Sequence, residues 1–118
     1  MLANREVLKV CAEGAYIIKD YKKMVKYFEC LITFDDQKKP KNYYYLIEAY
    51  IFTQKFDKAL ETIKIYINKN GDDDFIGIYN DDYPKWIEEL SKVEQTENIM
   101  EIKELIDHLK KRDRENGK

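Results

Sequence analysis

The sequence predicts an all-α protein built from antiparallel helical hairpins, about six helices stacked as a short array. Three observations predict this. Apolar residues recur at three- and four-residue steps over long stretches, which is the spacing of one helix face. Only four Gly and two Pro occur in 118 residues, too few for the many tight turns of an all-β fold. One apolar stripe is repeated 35 positions further along the chain. A helix–turn–helix unit recurring at such an interval is the mark of a stacked helical array.

Over 6–18 the apolar positions are Val7, Leu8, Val10, Cys11, Ala15 and Ile18, which predicts a helix. Lys19 and Asp20 interrupt it, and Asp20 can cap a second helix. That helix carries Tyr21, Met24, Val25, Phe28, Leu31 and Ile32, a regular i, i+3, i+4, i+7 stripe. The polar run that follows, with Pro40 in it, reads as a loop. Asn42 is placed to cap a helix holding Tyr43, Leu46, Ile47, Ala49 and Tyr50. After the break at Thr53, Gln54 and Lys55 comes the second stripe: Phe56, Ala59, Leu60, Ile63, Tyr66 and Ile67. Gly71 suits the left-handed residue past that helix's end.

Pro84, in a first turn, opens a short helix with Tyr83, Trp86, Ile87, Leu90 and Val93. Asn98 is placed to cap a last helix with Ile99, Ile102, Leu105, Ile106 and Leu109. This helix lies 43 positions past the second stripe. Lys103 and Lys110 take the slots of Leu60 and Ile67, so its outer face is polar, as a terminal repeat requires. The hairpins then span about 5–34, 42–70 and 84–111, in one domain over 1–118 with a charged tail at 112–118.

Composition limits the function. Charged residues make up 37% and hydrophobic ones 44%, which suits a soluble folded domain and not a disordered chain. No apolar run reaches the roughly 18 residues of a membrane span, and the N-terminus lacks a signal segment. A cytoplasmic protein is expected, with Cys11 and Cys30 as reduced, buried thiols. The net charge of -2 is unevenly spread: residues 71–84 hold five acidic side chains and no basic one. With no net basic excess, no nucleic-acid partner is expected.

The acidic stretch tests poorly as a calcium loop. Counting from Asp72, Asp74 and Gly77 fall at positions 3 and 6, but Ile76 and Tyr83 stand where positions 5 and 12 need oxygen ligands. It reads as a solvated loop. If it contacts a partner, Asp72, Asp73, Asp74, Asp81 and Asp82 suit a basic one. His108 is the one histidine and has no nucleophile beside it in sequence, so it reads as a surface residue. Lys19, Lys22, Lys23 and Lys26 read as a solvated helix face. No glycine-rich phosphate loop or His/Cys metal motif occurs, and neither a catalytic residue nor a cofactor is expected.

Residues 43–67, YYYLIEAYIFTQKFDKALETIKIYI, resemble the tetratricopeptide repeat, an antiparallel helix pair. Tyr43, Leu46 and Tyr50 stand at the family's positions in the first helix, Phe56 and Ala59 at those in the second. Residues 8–32 are a second, poorer copy, with Ala12 and Tyr21 in place and Met24 at the small contact position. Lys19 and Gln54 stand where the family has its turn glycine. The resemblance implies a concave face lined by the first helices, where partners bind. By register that face holds Lys9, Glu13, Tyr16 and Ile17 from the first copy, and Tyr44, Tyr45, Glu48, Ile51 and Phe52 from the second. Neighbours on a helix point about 100° apart, so if Tyr43 packs inward, Tyr44 or Tyr45 is expected to be exposed. A non-catalytic protein- or peptide-binding module, away from membranes, is the expected function. A small immunity-type protein that neutralises a toxin or enzyme is the alternative, and a self-assembling adaptor, a possible homodimer, is a third.

Overall fold

A computed structural model describes residues 4–34, 40–70 and 83–116. It is all-helical among these residues: α1 Arg5–Ile17, α2 Tyr21–Thr33, α3 Pro40–Phe52, α4 Phe56–Asn70, α5 Tyr83–Ser91 and α6 Glu97–Asn116. The pairs α1/α2, α3/α4 and α5/α6 are the expected hairpins.

Local chemistry sets the helix ends. Asn4 caps α1 by accepting from the Val7 amide (2.9 Å), and Asp20 caps α2 through the Lys23 amide (3.2 Å). Two expected caps move. Asn42 lies inside α3, which opens on Pro40, whose fixed φ suits a first helical position. At α6 the cap is Thr96, whose hydroxyl accepts from the Ile99 amide (3.3 Å), while Asn98 donates to Asp57 of α4. The last helix also continues to Asn116, beyond the expected end near Lys111.

The first two hairpins repeat closely. Lys19 and Gln54, 35 residues apart, have φ of 57° and 63°, and they are the positions where the resemblance puts a glycine. The Lys19 amide bonds the Tyr16 carbonyl (3.1 Å) and the Asp20 amide that of Ala15 (2.9 Å). The Gln54 amide bonds Ile51 (3.1 Å) and the Lys55 amide Tyr50 (2.7 Å). Each pair of bonds is a Schellman cap, closed by a left-handed residue that carries a Cβ. The apolar stripes match in burial too. Met24, Val25, Phe28 and Leu31 are buried, as are Ala59, Leu60, Ile63 and Tyr66, while both stripe ends (Tyr21 and Ile32, Phe56 and Ile67) are half-buried.

The step to the third hairpin differs. Between the first two units, α2 packs on α3; beyond them, the main contacts are α3 with α5 and α4 with α6. Lys64 and Glu101 (3.0 Å) join the Asn98–Asp57 bond in tying α6 to α4. Helix α3 is therefore enclosed by α2, α4 and α5. All residues from Tyr43 to Ile51 are buried, so this helix is apolar nearly all round, as a central helix must be.

Candidate functional site

The residues expected to line a groove separate into two groups. Tyr44, Tyr45, Glu48 and Ile51 are interior, against the expectation of an exposed aromatic. The reason is the number of helices around α3. Tyr43 turns to Tyr66 of α4 (ring centroids 5.6 Å apart) and Tyr44 to Trp86 of α5 (4.6 Å). Tyr45 meets Tyr16 of α1 (4.2 Å) and Phe28 of α2 (5.4 Å). Three successive tyrosines point three ways, and a different helix lies in each direction. Phe52 is half-buried and stacks on Tyr21 at 4.7 Å.

Glu48 is buried on the side facing the first hairpin's turn. Lys19, held out by its left-handed backbone, reaches it at 3.7 Å and also lies 3.8 Å from the Tyr16 ring centroid. A buried carboxylate is tolerated only with such charge and hydrogen-bond company. Tyr50, two residues nearer the C-terminus of α3, donates to Glu29 of α2, which Lys58 of α4 approaches at 4.0 Å. Burial first, then the Glu29 carboxylate, raises the Tyr50 pKa well above the usual phenol range.

The remaining groove candidates belong to α1. Lys9 is exposed, Glu13 and Tyr16 are half-buried, and Ile17 is 75% exposed. Ile17 has company among the apolar positions whose spacing predicts the helix. Val7 is 49% exposed, Val10 68% and Ile18 69%. The side of α1 turned to α2 is instead Leu8, Ala12 and Ala15. At about 100° per residue, Val10 and Ile17 fall opposite these three, and Gly14, Val7, Ile18 and Cys11 continue the stripe round to the flank of the packed side. A Cβ at Gly14 would meet nothing within 4 Å. The stripe carries no charge, and Glu6, Glu13 and Lys9 run along one edge of it.

The signal that could have found this face is the repeat itself. Subtracting 35 from Tyr45, Leu46, Ala49 and Phe52 gives Val10, Cys11, Gly14 and Ile17. In α3 the four are covered or half-covered, with Tyr45 and Phe52 touching Phe28 and Tyr21 of α2. Helix α1 has the same apolar face, with no described helix in the place of α2.

Other candidates stay apart. Cys11 is half-buried and Cys30 exposed, a correction to the expected buried pair, because both lie beside the stripes that pack. His108 is exposed on α6. Among the described residues, no group of three or more His, Cys, Asp or Glu is placed to hold a metal, and no helix is long and apolar enough to cross a membrane. The expected acidic contact, Asp72, Asp73, Asp74, Asp81 and Asp82, lies outside the described residues. Set against protein-family models, curated proteins and solved structures, the chain matches none of them.

Proposed function

We propose that this chain is a non-catalytic protein-binding module of tetratricopeptide-like hairpins, acting through the outer face of α1 rather than through a groove on α3. One observation carries the reading: Val7, Val10, Ile17 and Ile18 are exposed together on one helix face. An apolar patch on the order of a few hundred Å² is the size at which a surface suggests an interaction site. Lys9 and Glu13 at its rim supply the polar surround of such a site. Leu8, Ala12 and Ala15, packed on α2, are the support behind it.

The test is a comparison of two baits. The immobilised chain and a Val10→Asp/Ile17→Asp variant are exposed to lysate of the source cell, and retained proteins are identified by mass spectrometry. The reading expects retained proteins that the variant loses while its circular dichroism is unchanged. Equal retention by both baits would remove α1 as the binding face.

A further inference from the structure

We infer that the partner of this face is a second copy of the chain, docked α1 against α1 with the helices antiparallel about a two-fold axis. The inference rests on reading this face as an interaction surface. Four features select a copy of itself. The repeat shows what kind of element covers such a face: in α3 the equivalent positions receive an amphipathic helix, α2. Helix α1 itself presents that kind of surface. Its stripe holds no charged side chain, so two copies can close on each other without burying an unpaired charge.

The second feature is Gly14. Glycine within a helix costs about 1 kcal/mol relative to alanine, and no contact within the chain requires it here. Lying mid-stripe with open space before it, it leaves room for another backbone to approach closely.

Third, the rim is self-complementary. An antiparallel two-fold brings the edge of one α1 against the same edge of its copy, reversed. Glu6 and Glu13 lie on that edge with Lys9 about 40° behind Glu13, so the long Lys9 side chain of each chain can reach Glu13 of the second copy. A parallel pairing would set this edge against the opposite one, which is uncharged.

Fourth, the described part of α6, at the far end of the array, is mostly charged or polar on its exposed side. Exposed positions of α6 include Glu104, Asp107 and His108, with Lys103 half-buried. A head-to-tail contact would press the apolar stripe onto charges and, if it repeated, would form an open filament. Contact of α1 with α1 closes at two chains.

One face of a 13-residue helix is expected to cover less than the ~800 Å² per partner of a stable complex, so the dimer is expected to dissociate with a Kd of about 10–100 µM. Sedimentation equilibrium of the full chain from about 1 to 300 µM should show the mass rising from 14.2 kDa toward twice that value. Val10→Asp should raise the Kd at least about 100-fold. Gly14→Leu, whose Cβ would meet nothing within 4 Å in its own chain, should do the same with helicity retained. Lys9→Glu should weaken the dimer, and adding Glu13→Lys should restore it. A mass fixed at one chain throughout, or a dimer unaffected by Val10→Asp and Gly14→Leu, overturns the inference. If the chain stays monomeric but the two baits above retain different proteins, the face binds another protein and only the second copy is wrong. If the baits also agree, both readings fall.

Discussion

Gln54 and Lys19 hold left-handed backbone that glycine adopts freely and other residues adopt at about 1–2 kcal/mol. Part of that cost is recoverable. Gln54→Gly should stabilise the fold by about 0.5–1 kcal/mol, after subtracting the extra freedom glycine has when unfolded. Urea melts would measure it, and a loss of stability would show that the Gln54 side chain contributes more than its exposure suggests. Lys19→Gly should gain less, because it gives up the contact with buried Glu48. Tyr50 has a pH signature. The folded state raises its pKa, so it keeps a proton that the unfolded chain releases near pH ~10. This contribution is complete below that pH and is lost as pH climbs through the folded-state value. Stability should therefore fall above pH ~10, and the fall should be shallower in Tyr50→Phe. Parallel slopes for the two proteins in denaturant melts at alkaline pH would remove Tyr50 from the account.

At the scale of the helix, α3 decides how much of the site could be read beforehand. Periodicity alone located all six helices, and the 35-residue offset matched the burial of α2 and α4 position by position. The same reasoning failed for Tyr44 and Tyr45, since a stripe tells which side of a helix is apolar and not how many neighbours surround it. It failed on α1 in the opposite direction. Of the expected stripe only Leu8 and Ala15, with Ala12 added, make the contact with α2, while Val7, Val10 and Ile18 are exposed. The tyrosine run also makes a prediction. Tyr44→Ala removes the ring against Trp86 and should cost about 3–5 kcal/mol. Trp86 is the single tryptophan, so its emission should shift to the red as the third hairpin loosens. Unchanged emission would mean that α5 holds its place through other contacts.

For the molecule as a whole, the altered step to the third hairpin matters most. A stack in which each unit touches only its neighbour through one type of interface can unravel from its ends. Here α5 packs directly on α3, at the centre, and α6 on α4. Unfolding in urea, followed by helicity and by Trp86 emission, should give two superimposable transitions. In Tyr44→Ala the emission should move first. Separate transitions in the unaltered chain would show the third hairpin to be an independent appendage. This arrangement was not legible in the sequence, because the 43-residue spacing signals a displaced unit without saying where it docks.

The enclosure of α3 also bears on how the chain tolerates variation. Most helices accept change on one side, so replacements that survive selection recur every three or four positions. From Tyr43 to Ile51 no such side exists. A library of all single replacements across this helix, selected for folded protein, should return an unbroken nine-residue block of intolerance. In α1 the tolerated positions for folding should fall on the Val7–Val10–Gly14–Ile17 face, where selection for association would in turn forbid them.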